Sequence, residues 1–172
     1  MAIVIEQLTY RYGGASGGGR SRSDSAPSPM DAALNGVTMT IGEGEFLGVI
    51  GHTGSGKSTL MQQLCGLLTP TGGSVLVDGF DTRDKQQRKR ARALVGLVFQ
   101  YPEYQLFEET VEKDVAFGPK NLGLSDEEAR AHAREALELV GLPAERFAGK
   151  SPFDLSGGEK RMAAIATILA MQ

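Results

Sequence analysis

Residues 51–58 read Gly-His-Thr-Gly-Ser-Gly-Lys-Ser, and this stretch decides the fold. It matches the pattern G-x-x-x-x-G-K-[ST], a glycine-rich loop whose backbone N–H groups surround phosphate oxygens. An apolar run, Phe46–Ile50, precedes the loop and is typical of a strand buried on both faces. Leu60, Met61 and Leu64 follow it at helical spacing. The stretch therefore predicts a strand, a phosphate-binding loop and a helix in that order.

Each residue type in this loop has a physical reason to be there. The glycines let the backbone approach phosphate closely, and the start of the helix adds unpaired N–H groups and the positive end of its dipole. Lys57 is expected to neutralise the β- and γ-phosphates, Ser58 to bind Mg²⁺, and Thr59 to support the α-phosphate. The weaker alternative is a glycine-rich turn with an incidental lysine. The predicted nucleotide-binding residues here are Gly51, His52, Thr53, Gly54, Ser55, Gly56, Lys57, Ser58 and Thr59.

Composition narrows the class of protein. The chain has 172 residues, a length that suits one domain, and a net charge of −3, which provides no global basic field for nucleic acid. No apolar run reaches the roughly 18 residues that a membrane span needs. The single cysteine, Cys65, excludes an internal disulfide and suits a reducing compartment. These observations favour a P-loop nucleoside triphosphatase without a membrane span.

The strand and helix signals in the sequence divide the chain into a β-rich part, residues 1–100, and a helical part, residues 101–172. Residues 13–30 are rich in Gly, Ser and Pro and are predicted to form a flexible insertion. Residues 81–92 carry six basic and two acidic side chains, net +4, and are interpreted as a solvated helix face rather than a nucleic-acid patch. Ser125 and Glu128 form a capping-box pattern at a helix start. Further strands are predicted at Ile3–Tyr12, Val37–Ile41, Ser74–Asp78 and Leu94–Phe99.

A second glycine turn begins a later helix and carries the resemblance to a known family. Leu155-Ser156-Gly157-Gly158-Glu159 precedes a helical apolar stripe, which makes a second predicted anion-binding helix start. Together with the first loop it resembles the ATP-binding cassette (ABC) ATPases, although their signature usually has glutamine where Glu159 stands. The resemblance implies a predominantly parallel core sheet with an antiparallel β part and a helical subdomain. It also implies a dimer, homo- or heteromeric, that holds ATP between one subunit's P-loop and the other's signature.

Two further residues acquire roles from this resemblance. Gln100 matches the family's Q-loop glutamine, which contacts Mg²⁺ and the attacking water, so it is a candidate catalytic and metal-contacting residue beside Lys57 and Ser58. Tyr12 occupies the place of an aromatic residue that stacks on adenine, and Tyr10 is the less favoured candidate. Both tyrosines are also compatible with a purely structural place in the strand.

Longer stretches look like the ATPase subunits of energy-coupling factor (ECF) transporters for vitamins and metals. They are residues 51–61, 99–108, 116–123 and 151–158. The resemblance implies a peripheral position on the cytoplasmic face of the membrane, with the segment after Gln100 docked on the membrane component. An opposite expectation, that Leu106 and Phe107 are core residues, is almost as strong. The candidate docking residues are Pro102, Glu103, Gln105, Leu106 and Phe107.

Other parts of such an ATPase are expected beyond the signature helix: a strand that ends in aspartate, a catalytic glutamate and a switch histidine. None can be assigned in residues 1–172, which predicts a C-terminally truncated ATPase domain whose sheet is incomplete and whose isolated chain is unstable or aggregation-prone. Two alternatives stay open, a non-hydrolysing nucleotide-binding module and another ABC-class ATPase such as those of DNA repair. The latter normally carry long coiled coils, for which residues 58–155 leave no room.

Overall fold

Alternating apolar residues form an antiparallel sheet in the first part of the chain. The computed structural model describes residues 1–13 and 32–171, which cluster into two units, Met1–Val95 and Gly96–Gln172. In the described part of the first unit the strands are β1 (Ile3–Tyr10), β2 (Leu34–Ile41), β3 (Gly72–Val77) and β4 (Phe80–Asp81). The predicted insertion at 13–30 lies outside the described residues, apart from Gly13.

Strand β1 is the centre of this sheet. The order is β2-β1-β3-β4, and every neighbouring pair is antiparallel. Ile5 pairs with Met39 of β2 and with Val75 of β3, so three apolar residues lie side by side across the sheet. Ile5 and Val75 are fully buried, and Leu60 and Leu64 belong to the same core. The predicted strands near residues 3, 37 and 74 are therefore confirmed, with shifted ends.

Two predicted parallel strands are not seen. Residues 45–50 and 95–99 are assigned to no strand, and Leu94 is helical. A strand exists only where a neighbour accepts and donates its backbone hydrogen bonds, and neither segment has such a neighbour among the described residues. Phe46 and Ile50 accordingly lie almost fully exposed, although their sequence is typical of a buried strand.

Two helices complete the described first unit. Helix α1 (Lys57–Leu64) follows the glycine loop as predicted, and α2 (Lys85–Leu94) carries the basic run. Asp84 caps α2 by accepting hydrogen bonds from the N–H groups of Gln86 and Gln87. Only Ala91 of α2 is buried, which agrees with the prediction of a solvated helix.

All regular elements of the second unit, within its described residues, are helices. Its core consists mainly of alanine with a few larger apolar residues, so the helices can pack closely. Ser125 caps α4, accepting from the Glu128 N–H while the Glu128 carboxylate accepts from the Ser125 N–H, and the predicted capping box is confirmed. The helices are α3 (Val111–Asn121), α4 (Asp126–Leu139), α5 (Ala144–Phe147) and α6 (Gly157–Leu169), with short 3-10 helices at Pro102–Gln105 and Pro152–Asp154.

Candidate phosphate-binding site

The glycine loop makes a tight turn and passes directly into α1. The N–H of Ser55 donates to the His52 carbonyl at 3.2 Å, and the N–H of Leu60 donates to the Gly56 carbonyl at 2.8 Å. Gly56 has φ +89°, a conformation that side chains rarely adopt. A Cβ at Gly56 would also lie 2.4 Å from the Ala33 carbonyl oxygen. Gly56 is thus required for two reasons: its φ is positive, and there is no room for a Cβ next to the Ala33 carbonyl.

Helix α1 differs from the other long helices because no side chain caps its first turn. Its N-cap is Gly56, which has no side chain, and no side-chain cap is present. The other long helices in the described residues are capped by Asp84, Thr110, Ser125 and Ser156. An uncapped first turn leaves backbone N–H groups and the positive end of the helix dipole available to an anion. This turn is therefore the best-prepared anion site among the described long helices.

Lys57 supplies the positive charge at this turn. Its ammonium Nζ donates to the carbonyl oxygens of Gly51 and His52, both at 2.8 Å, and to Ser55 Oγ at 3.3 Å. The side chain is thus folded over the loop, and its three donors have three oxygen partners. A phosphate that enters the loop would compete with these three oxygens for hydrogen bonds from the Lys57 ammonium group.

The next two residues present hydroxyls in different surroundings. Ser58 is exposed, whereas Thr59 is buried and its Oγ1 lies 3.0 Å from the Tyr12 hydroxyl oxygen. Strand β1 ends at Tyr10, so Tyr12 belongs to the turn that follows it. The predicted residues Tyr12 and 51–59 thus all belong to the first unit.

No group of three or more His, Cys, Asp or Glu side chains that could hold a metal exists in the described residues.

The predicted residues of the second unit lie on two other elements. Gln100 is exposed in a bend, and Leu155 is buried just before α6. Ser156 is the N-cap of α6: its Oγ accepts from the Glu159 N–H at 3.3 Å, and its N–H donates to the Glu159 carboxylate at 2.7 Å. The hydrogen bond from the Ser156 N–H to the carboxylate lowers the pKa of Glu159. Gly157 and Gly158 form the first turn, so an anion there would approach close to a carboxylate.

The structure corrects part of the prediction for the docking segment after Gln100. Leu106 is a core residue, because it packs with Val111 and Val115, and the expectation that it is exposed is wrong. Phe107 is 60% exposed, and its ring meets that of Phe117 edge-on at 5.0 Å between centroids. Gln105 is half-buried. The side chains of Pro102 and Glu103 lie outside the described residues.

Sequence reasoning missed Asp114, a buried carboxylate on α3. Its Oδ1 accepts hydrogen bonds from the N–H groups of Phe107 at 3.0 Å and Glu108 at 3.1 Å, which fixes the backbone of the docking segment. Burial raises the pKa of Asp114, although these two hydrogen bonds act in the opposite direction. An acid in the first turn of a helix is common at exposed positions, so the sequence carries no separate signal for this contact.

Comparison with known proteins finds similarity to one group of proteins along the whole chain. A family model described as ABC transporter matches residues 34–172. The chain is 60% identical to the energy-coupling factor transporter ATP-binding protein EcfA2 of Caldanaerobacter subterraneus subsp. tengcongensis and 56% identical to that of Clostridium perfringens. All of this chain is covered in both alignments, but only 56% and 57% of those relatives. The chain thus spans a little over half the length of these curated relatives.

Solved structures agree with this grouping. CbiO1 from Clostridium perfringens, part of the ABC transporter complex CbiONQ, aligns with a TM-score of 0.77 at 33% identity over 98% of this chain and 61% of its own. A dimeric ATP-binding cassette, MJ0796, bound to ADP and phosphate, aligns with a TM-score of 0.76 at 31% identity over 98% of this chain and 69% of its own. No helix in the described residues is long and apolar enough to cross a membrane.

Proposed function

Since this chain belongs to the ABC transporter family, we propose that it binds ATP at its glycine loop and energises an importer of the energy-coupling factor type. The family match and the solved cassettes confirm the predicted fold class. The similarity to ATP-binding proteins of energy-coupling factor transporters supports the type of importer. The activity of the complete transporter, hydrolysis of ATP coupled to uptake, is part of this proposal.

The observation that carries the proposal is the uncapped first turn of α1 with Lys57 beside it. Gly56 provides no capping side chain, and the ammonium of Lys57 already lies over the loop that would receive phosphate. The triphosphate would thus meet backbone N–H groups, the positive end of a helix dipole and the Lys57 ammonium group in one place. During attack of water, Lys57 would stabilise the charge that develops on the γ-phosphate.

Magnesium fits the residues present. Ser58 has an exposed hydroxyl next to Lys57, and Mg²⁺ in P-loop proteins is held by such a hydroxyl and a strand-end aspartate together with the nucleotide phosphates. Bound there, the ion would neutralise phosphate charge. Gln100 is proposed as the second protein contact to Mg²⁺ and to water, and Tyr12 as the surface on which adenine stacks.

A second ATPase subunit, identical or homologous, would complete the site. We propose that Leu155, Ser156, Gly157, Gly158 and Glu159 of one subunit approach the triphosphate bound to the glycine loop of the other. The Ser156 hydroxyl accepts a hydrogen bond from the Glu159 N–H, and its own proton would remain available to an oxygen of the triphosphate. The dimeric state of the solved cassette MJ0796 supports this arrangement.

The exposed aromatic face of the second unit is the proposed contact with the membrane component. Tyr104 and Phe107 are largely exposed, and Phe117 supports Phe107 from α3. Pro102, Glu103 and Gln105 belong to the same segment, whereas Leu106 supports it from the core. This contact would hold the subunit peripherally on the cytoplasmic face of the membrane.

Calorimetric titration with ATP and Mg²⁺ tests the proposal. The wild-type chain is expected to bind, and Lys57→Ala to lose at least about tenfold in affinity because a charge-assisted contact to phosphate is removed. Lys89→Ala, which removes an exposed lysine from α2, is the matched control and is expected to bind like the wild type. Absence of binding by a wild-type sample that unfolds cooperatively would refute the proposed function, and equal binding by Lys57→Ala would refute the role of that lysine.

A further inference from the structure

A side-chain hydrogen bond joins the turn after β1 to the helix after the glycine loop. The hydroxyl oxygen of Tyr12 and Oγ1 of Thr59 are 3.0 Å apart, although the two residues are 47 positions apart in the chain. Thr59 is only 6% exposed and lies in the first turn of α1. The contact thus connects the proposed adenine platform with the proposed phosphate seat.

The Tyr12 ring is held at two points and open elsewhere. The ring of Tyr10 meets it at 5.0 Å between centroids with an interplanar angle of 89°, and Thr59 holds its hydroxyl end. Tyr12 nevertheless remains 62% exposed. A ring fixed in this way retains surface for a stacking partner and loses less freedom when that partner binds.

Either hydroxyl can be the donor in this contact, and the two arrangements leave different protons available. Each hydroxyl has one proton to donate and can accept further hydrogen bonds. When Tyr12 donates to Oγ1 of Thr59, the threonine proton remains available for an acceptor near the start of α1. A threonine in a helix otherwise tends to donate this proton to a carbonyl of the preceding turn. Within the described residues, the side-chain partner of Thr59 is Tyr12.

We propose that the Tyr12 hydroxyl is a positioning group for Thr59, which orients the threonine proton toward the α-phosphate of a bound nucleotide. This inference rests on the proposed function. It assigns Tyr12 a second task, distinct from stacking: the hydroxyl at the end of the ring links recognition of the base to recognition of the first phosphate. Phenylalanine would keep the stacking surface and lose the link.

The test is a double-mutant cycle measured with a series of ligands. Dissociation constants for ATP, ADP, AMP and adenosine are determined by calorimetry for the wild-type chain, Tyr12→Phe, Thr59→Val and the double variant. Tyr12→Phe is expected to weaken ATP, ADP and AMP by roughly 3- to 10-fold, the worth of one hydrogen bond, and adenosine by less than about twofold. In the Thr59→Val background, Tyr12→Phe is expected to have no further effect.

Two additional variants control the experiment. Tyr101→Phe removes a hydroxyl from an exposed ring of the second unit and keeps the Tyr12–Thr59 contact, so it is expected to leave all four affinities unchanged. Thr59→Ser keeps a hydroxyl and is expected to restore the effect of Tyr12→Phe, even if Thr59→Val perturbs α1. Thermal unfolding of every variant verifies that it is folded.

Three results would overturn the inference while leaving the proposed function intact. They are an unchanged ATP affinity in Tyr12→Phe, an equal loss for adenosine and ATP, or an equal loss with and without the Thr59 hydroxyl. Failure of the wild-type chain to bind any adenine nucleotide would instead overturn the proposed function and this inference with it. The two failures are therefore distinguished by the wild-type titration alone.

Discussion

Arg92 donates two hydrogen bonds to the carbonyl oxygen of Gly66, from Nε at 3.0 Å and from Nη2 at 2.8 Å. Gly66 lies two residues beyond the end of α1, where the helix dipole is negative and carbonyl groups lack helical partners. Arg88 donates to Thr69 in the same segment. The basic helix α2 thus satisfies and stabilises the end of the helix whose start forms the candidate phosphate site.

Replacement of Arg92 tests this relationship. Arg92→Ala is expected to lower the free energy of unfolding by about 1 kcal/mol, which is below the roughly 1.5–3 kcal/mol typical of hydrogen bonds to charged groups because Arg92 is exposed. Urea denaturation followed by circular dichroism measures the change. Lys89→Ala removes an equal charge from the same helix without this contact and is expected to change stability by less than about 0.5 kcal/mol. Equal losses in both variants would show that net charge, not the Gly66 contact, matters.

A pair of glycine substitutions separates backbone strain from steric exclusion in the loop. Gly54 and Gly56 have nearly equal φ values, +86° and +89°, but a Cβ at Gly54 meets nothing within 4 Å whereas one at Gly56 meets the Ala33 carbonyl at 2.4 Å. Gly56→Ala is therefore expected to weaken ATP binding much more than Gly54→Ala. Titration of both variants with ATP checks this, and similar losses would mean that conformation alone decides.

Asp114 predicts a specific dependence of stability on pH. Burial raises its pKa above the ordinary value of 3.8, so the folded chain holds a proton that the unfolded chain releases. Its contribution to stability is therefore complete below the unfolded pKa and is lost as the pH rises through the folded pKa. Asp114→Asn cannot titrate and keeps an oxygen acceptor for the Phe107 and Glu108 N–H groups.

The wild type is thus expected to gain stability relative to Asp114→Asn as the pH falls from about 7 to about 4.5. Denaturation curves of both proteins over this range measure the difference, and contributions from other acids cancel in the comparison. A difference that stays constant with pH would contradict the raised pKa of Asp114.

Phe107 is the sharpest probe of the proposed docking face. Phe107→Ala removes an exposed ring from that face and is expected to reduce co-purification with the membrane component while leaving ATP affinity unchanged. Phe153→Ala is the matched control, since Phe153 is also largely exposed in the second unit but lies outside the docking segment. If Phe153→Ala reduced co-purification equally, the assigned face would be wrong.

Local chemistry explains which features could be predicted from sequence. The glycine loop, α1 and the Ser125 capping box depend on residues close together in the chain, and the structure contains all three. The apolarity of residues 46–50 and 94–99 predicts strands that the structure does not contain, because strand formation depends on a distant partner that the local pattern does not specify.

The contacts that the sequence does not predict also depend on residues that are distant partners in the fold. Arg92 with Gly66, and Asp114 with the Phe107 N–H, join residues whose proximity depends on tertiary packing. Leu106 and Phe107 are adjacent and similarly apolar, yet one is buried and the other exposed. Only the packing of α3 and its neighbours decides which of the two faces the core.

The folded-over ammonium of Lys57 implies a threshold for anion selection. The group already has three oxygen ligands within its own loop, so a competing anion must offer several oxygens at once to displace them. Chloride offers one atom to the ammonium group, whereas a tetrahedral phosphate offers several oxygens that can replace the three in turn. The loop would in this way favour an anion with several oxygens over a monatomic one, because its own oxygens compete for the same ammonium group.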